Sequence, residues 1–251
     1  LLFKKRKAYK KYLSEAGPTQ VLTWEGGQAN QQFDELVQPM VRNTPEWYKQ
    51  TQRWVKDATG REWAGVKHCM PFLDALTTGY AVFLAEDIVV KIQEDGSPTI
   101  THKNRERGPV NNRPPQVTDP SPHPAGCYPE HYIWSLPVAI EIPKGYSVLF
   151  THPLNRWDLP FISTSAIVDD YNVPGANMAF HLKRGFEGVI PAGTMIAQLI
   201  PFRREEWVNK EVKNKLWAKG HMNKHSDTFV PDEELFNGWY RKNIWKKKSY
   251  R

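Results

Sequence analysis

Between Pro137 and Phe202 the chain is cut into short apolar pieces by Gly145, Pro153, Pro160, Asn172-Val173-Pro174-Gly175, Arg184-Gly185 and Ala192-Gly193. The pieces, among them PVAIEIPKGYSVLFTHPL and FEGVIPAGTMIAQLIPF, are rich in β-branched and aromatic residues, the chemistry of a pleated, half-buried surface. Many short strands with regular punctuation indicate a barrel or jelly roll rather than a layered α/β fold. The strand pattern is expected to begin at Val66 and to include AVFLAEDIVVKI, Ala81–Ile92. The fold class that follows is mainly β.

Residues 93–137 interrupt this pattern. Half of the 20 prolines lie between Pro98 and Pro143, most densely in NNRPP and DPSPHP. Proline supplies no ladder donor, so this segment is expected to be a long surface excursion without secondary structure. Ahead of the strands, residues 1–32 are polar and basic, with turn signals at Gly17-Pro18 and Gly26-Gly27. Thr44-Pro45 reads as the N-cap and first position of a helix ending near Gly60, with Trp47, Thr51, Trp54 and Val55 on one face. Trp47, Trp54 and Trp63 serve either the chain's own core or a subunit contact. After Phe202, REEWVNKEVKNKLWAK sets Val208, Val212 and Leu216 at four-residue steps. Glu205 and Glu206 fall in its first turn and Lys213, Lys215 and Lys219 near its end, the polarity a helix dipole favours. Three parts result: an N-terminal arm with one helix (1–64), a β domain (65–202) carrying the insertion 93–137, and a C-terminal helix with a basic aromatic arm (203–251).

With 251 residues the chain can bury a sizeable core. No apolar run reaches 18 residues, so no membrane span is expected, and Leu1-Leu2-Phe3 runs straight into lysines without a signal-peptide pattern. Cys69 and Cys127, with no CxxC spacing, give neither a zinc site nor a disulfide framework and suit a reducing compartment. The net charge of +7 belongs to the ends: residues 1–11 and 241–251 each hold six Lys/Arg and no acid, leaving 22 basic against 27 acidic residues between them. Basic tails bind nucleic acid, meet an acidic partner surface, or simply stay solvated.

Several residues stand out as site candidates. Gln198 is a lone amide among Ala197, Leu199 and Ile200, and an amide buried without partners costs about 1–3 kcal/mol. It is either a structural satisfier or part of a site. His152 lies beside Pro153, Asn155 and Arg156 where a binding loop would be, or is a turn histidine held by backbone. His221 and His225 have the i,i+4 spacing of a metal pair but lack the glutamate of a zinc protease motif, and read as surface residues. In NGWYRKNIWKKKSYR, Trp239, Tyr240, Trp245 and Tyr250 are interleaved with cations that include Lys246, Lys247 and Lys248. Such a mixture stacks on single-stranded bases or anchors an arm on a neighbouring subunit. The arm is favoured, because the middle of the chain has no basic surplus to continue a nucleic-acid track.

Three stretches in order resemble the dUTPase family and its wider β-clip fold. TTGYAVFLAEDIVV (Thr77–Val90) is similar to the family's first motif, SAIVDDYNVPGAN (Ser165–Asn177) to the third and AGTMIAQLIPF (Ala192–Phe202) to the fourth. The run HCMPFLDALTTGY, PKGYSVLFTHPLNRWDLPF, GTMIAQLIPFRREEW also resembles an uncharacterised family of phage and bacterial proteins, a resemblance that brings no activity. The dUTPase resemblance implies a trimer with a nucleotide pocket at the subunit interface, and places His152, Asp169, Asp170, Tyr171 and Gln198 as candidate pocket residues. In it Asp169 or Asp170 would activate water and Tyr171 would lie under the base. The sequence departs from the family where phosphate is held. Ala81 replaces the first motif's Asp, FTHPLN lacks the second motif's Arg-Ser, Thr194-Met195 replace a charged pair, and no Gly-rich C-terminal motif follows.

Cleaving a phosphoanhydride needs neutralised phosphates and positioned water, usually with Mg²⁺ between the phosphates. The expectation is therefore a non-enzymatic, homotrimeric β-clip or jelly-roll protein with helical and extended arms and no catalytic residue, metal or cofactor. It would be a phage virion structural or decoration component, in the virion or the host cytoplasm. It would meet other virion proteins, with nucleic acid as a further partner of its basic termini, through Trp239, Tyr240, Trp245 and Lys246–Lys248. The alternative is a nucleotide-binding or dUTPase/dCTP-deaminase-like hydrolase that would use Mg²⁺.

Overall fold

The computed structural model describes residues 23–26, 36–103, 108–113, 122–136, 138–169, 177–209, 240–243 and 245–250. Among them sixteen strands pair, all antiparallel, into five sheets. The largest runs β13 (Ala166–Asp169), β11 (Tyr146–Thr151), β16 (Met195–Arg203), β5 (Tyr80–Phe83), β2 (Val37–Pro39). A four-stranded sheet runs β12 (Phe161–Ser163), β14 (Asn177–Lys183), β9 (Cys127–Ser135), β8 (Val110–Asn112), and a three-stranded one β15 (Gly188–Ile190), β6 (Ile88–Ile92), β7 (Pro98–His102). β1 (Thr23–Gly26) pairs with β10 (Val138–Glu141), and β3 (Trp54–Lys56) with β4 (Glu62–Ala64). The mainly β architecture is the one the punctuation implies.

One apolar core joins the three larger sheets. At its centre Trp134 of β9 stacks on Phe180 of β14 (centroids 3.6 Å apart, rings within 9° of parallel), and Phe161 of β12 meets both rings edge-on. Side chains of this size each contribute about 1.5–3 kcal/mol when fully buried. The indole N–H of Trp134 finds the Ser163 hydroxyl at 3.1 Å, and Ser163 in turn donates to the Ile196 carbonyl at 2.8 Å. Tyr132 donates to the Pro98 carbonyl, and burial is the first cause that pushes its phenol up to about 12.

Five expectations change. The proline-rich segment 93–137 is not a structureless excursion, since β7, β8 and β9 lie inside it. Pro98 is the first residue of an edge strand, where its missing N–H costs no ladder bond. Pro129 sits where the β9–β14 register shifts between Lys183 and His181, and β8 pairs only with Tyr132–Trp134. A bulge on one side and a strand end on the other thus leave no bond for Pro129 to break. The helix opened at Thr44-Pro45 is a single turn, α1 (Glu46–Gln50), not a helix reaching Gly60. Thr51 leaves helical geometry (ψ 138°) with its hydroxyl on the Trp47 carbonyl, and Trp54 and Val55 belong to a hairpin.

The segment from Val66 opens not as strand but as a 3-10 turn and the helix α2 (Met70–Thr77), with Pro71 in its first turn. Ala81–Ile92 is two strands broken at Leu84–Asp87, where Leu84 bonds Thr194 and Gly193 and the Asp87 carboxylate accepts from Ala192 N–H. The helix expected after Phe202 is absent from 204–209, and the rest of it lies outside the described residues. Tyr48 and Phe72 stack between α1 and α2, and Gly79 then turns the chain into β5 with φ +78°. A Cβ on Gly79 would lie 2.1 Å from the Leu199 carbonyl oxygen, so the close approach of α2 to β16 requires glycine there.

Candidate functional site

Gln198 lies on β16, between Thr151 of β11 and Ala81 of β5, and is 0% exposed. Its side-chain oxygen accepts from Leu154 N–H at 2.8 Å, and its NH₂ donates to the carbonyls of Ala75 at 3.0 Å and Thr78 at 2.7 Å. One amide thus ties the end of α2 to the turn that follows β11. The polar atoms of Gln198 thus go to three backbone groups of its own chain.

The turn is His152-Pro153-Leu154-Asn155-Arg156, with Asn155 at φ 60°, the only non-glycine residue at positive φ among those described. Arg156 N–H returns to the Pro153 carbonyl at 3.1 Å. His152 is buried. Its Nδ1 accepts from Ser163 N–H at 3.3 Å, which leaves Nε2 to donate to the Arg156 carbonyl at 3.1 Å. This assigns a neutral Nε2–H imidazole, and burial holds its pKa below the usual histidine value, helped by the charges of Lys183 and Arg156. Trp157, 66% exposed, stacks over the ring as a lid. Arg156 forks onto Asp158 through bonds of 2.8, 3.1 and 2.8 Å, and these hold the Asp158 carboxyl below the ordinary range.

Asp169 lies elsewhere on the same sheet. Asp169 pairs in register with Ser147, four residues before the Thr151 that faces Gln198. At about 3.4 Å per residue that is about 14 Å along the sheet. Its carboxylate accepts from the Ser147 hydroxyl and faces Arg204 at 3.5 Å. Within one chain, then, His152 and Gln198 meet at one turn and Asp169 does not join them. Asp170, Tyr171, His221, His225 and Trp239 lie outside the described residues. A cavity of about 120 Å³ opens between Phe150, Ala166 and Val168 on one side and Thr164, Asn177 and Met178 on the other, and no candidate residue lines it.

The C-terminal arm lies against its own chain. Tyr240 opens the single turn α3 (Tyr240–Asn243), and its carbonyl accepts from Trp245 N–H. The Trp245 indole donates to both oxygens of Asp74 on α2 at 3.0 Å, Lys248 pairs with the same carboxylate, and Tyr250 meets Tyr80 edge-on at 5.9 Å. Lys246 and Lys247 are exposed. Asp74, Ser163 and the Arg156–Asp158 fork were not singled out by sequence. Asn155 beside Pro153 was the one local signal for the turn, and no short motif marks Asp74.

No protein-family model matches the chain, and no curated protein does. Solved structures that resemble it include a point variant of the dUTPase from phage phi11 of S. aureus, described for its coordination of a structural Mg(II) ion. It shares 14% identity over 77% of this chain and 97% of that one, with a TM-score of 0.34. A second structure of that phage's dUTPase, described for its species-specific insert, shares 13% identity over 51% of this chain and 96% of its own, with a TM-score of 0.25. Both overlaps are loose, and neither carries an activity over to this chain.

Proposed function

We propose that the protein is a non-enzymatic β protein that acts by assembly, as a homo-oligomer. In the finer form of this reading it is a trimeric virion structural or decoration component of a phage, held to its partners by its terminal segments. The observation that supports this most directly is the commitment of Gln198 and His152 to the chain's own backbone. A binding site presents unpaired donors and acceptors to its ligand, whereas at this turn the amide and both ring nitrogens already have protein partners. Asp169, the carboxylate that would activate water, stands well away and is engaged by Ser147 and Arg204. Assembly is supported by apolar side chains left on the surface away from the β3–β4 hairpin, among them Trp47, Trp157, Ile167 and Trp207. Large apolar side chains such as these gain from being covered in a contact between copies.

Multi-angle light scattering of the purified chain should report an oligomer, and the protein should be recovered in purified virions. A panel of deoxynucleoside triphosphates with Mg²⁺ should release no pyrophosphate. Release that vanishes in Asp169→Ala and Asp170→Ala would reverse the reading in favour of a nucleotide hydrolase.

A further inference from the structure

The β3–β4 hairpin stands apart from the larger sheets, and its strands are exposed on both faces. A lone two-stranded ribbon is marginal in water, yet this one is fixed at its tip, its base and one face. At the tip Asp57 Oδ1 accepts from Thr59 N–H at 2.8 Å, the Thr59 hydroxyl at 2.6 Å and Arg61 N–H at 3.1 Å, and Oδ2 accepts from the Trp63 indole at 2.7 Å. At the base Gly65 N–H reaches the Arg53 carbonyl at 2.6 Å, and a Cβ on Gly65 would lie 2.5 Å from the Gln52 oxygen. On one face Trp54 packs on the His68 ring at 4.5 Å. The outward side chains therefore sit on a rigid support.

What they present is aromatic and cationic. Trp63, 49% exposed, lies directly opposite Val55, and the Arg61 guanidinium stands 4.3 Å over the indole. By strand alternation Arg53 falls on this same face. The other face is less available, because Trp54 is turned onto His68 and Lys56 pairs with Glu62 at 3.7 Å. The charge around the hairpin also differs from the rest of the body: residues 36–69 hold six Lys/Arg against three acids, while residues 70–209 hold 11 against 15.

With a guanidinium on the indole and a local basic surplus set against an acidic body, this face favours an anionic, stackable occupant over an apolar one. Single-stranded nucleic acid suits it well. Bases stack on aromatic rings with little regard to sequence while the backbone phosphates take neighbouring cations. We propose that the Trp63 face of the β3–β4 hairpin binds single-stranded nucleic acid, with Trp63 stacking a base and Arg53 and Arg61 meeting the flanking phosphates. This site is separate from the C-terminal arm and does not depend on the assembly reading.

Fluorescence anisotropy of a labelled oligo-dT titrated with the full chain tests it. Binding should weaken steeply with salt and fall by about five- to a hundredfold in Trp63→Ala, the range for loss of one stacking ring. An Arg53→Gln, Arg61→Gln double variant, which keeps the indole, should lose several-fold and show a shallower salt dependence. Circular dichroism and the urea midpoint check that both variants keep the body folded. Absence of binding by the parent chain would overturn the proposal. So would binding lost in a Lys246→Gln, Lys247→Gln, Lys248→Gln variant but untouched in Trp63→Ala. A Trp63→Ala chain that drops to a smaller species on sizing while holding oligo-dT as before would also overturn it, by marking the hairpin as a contact between copies.

Discussion

Replacing Gln198 separates a structural latch from a ligand contact, and the size of the effect follows from its three bonds. Gln198 is fully buried, and Gln198→Leu leaves the half-buried Leu154 N–H and the Ala75 and Thr78 carbonyls without their partner. A buried backbone group left without a partner costs about 1–3 kcal/mol. Three of them, with some relief from water entry and the added apolar side chain, place the loss at about 4 kcal/mol. That is a large share of the roughly 5–15 kcal/mol by which a domain is stable. Gln198→Glu is the sharper probe. Its carboxylate keeps the Leu154 N–H bond but turns an anion toward two carbonyl oxygens, and burial adds to that repulsion, so the folded-state pKa rises above the unfolded value of about 4.3. The protonated form donates to one carbonyl and fits. Relative to the parent chain, Gln198→Glu should therefore be most nearly stable below about pH 4.3 and lose stability as pH rises toward its raised folded pKa. Gln198→Leu should show no such added slope. Urea unfolding of the three chains at pH 4, 5.5 and 7 reads both effects. If both variants unfold within about 1 kcal/mol of the parent at every pH, or the Glu penalty is flat with pH, the latch reasoning is wrong.

Other outcomes follow from neighbouring geometry. Gly79→Ala sets a Cβ against the Leu199 oxygen in a backbone conformation that L side chains rarely adopt, so thermal melting should show a loss of several degrees or failure to fold. His152 is held neutral by burial, so it contributes stability above about pH 6.5 that is lost as pH falls below that value. His152→Leu should flatten, without abolishing, the slope of urea stability between pH 5 and 7, since burial lowers the His131 pKa as well. Asp74→Ala removes the acceptor shared by Trp245 and Lys248. It should red-shift tryptophan emission and speed limited trypsin cleavage around Lys246–Lys248, with the unfolding free energy in urea lowered by about 2 kcal/mol or less, as for a half-buried charge-assisted contact.

What could be read from the residues was whatever a residue settles with its near neighbours. Tyr146–Thr151 and Met195–Arg203 became strands because their apolar runs end at turn residues a few positions away. Phe161–Ser163 likewise begins at Pro160. β9 was hidden for the opposite reason. Pro129 argues locally against a strand, and only the bulge in β9 itself, where Tyr128–Glu130 stand against Leu182 of β14, and the short reach of β8 make it harmless. α1 was overextended because Thr44-Pro45 is a sound start signal, whereas its stop at Thr51 serves the hairpin that follows. The candidate site divides along the same line. That Gln198 needed partners was legible from its apolar flanks, but the partners stand 44, 120 and 123 residues away. Likewise the shared motif order grouped Asp169 with Gln198, while the register of β11 against β13 and β16 sets them four residues apart. A motif transmits residue identity along the chain, whereas a site depends on register between strands. A chain can therefore keep a Gln and an Asp in their familiar order while its hydrogen bonds put each to separate structural use, and here that use can be measured residue by residue.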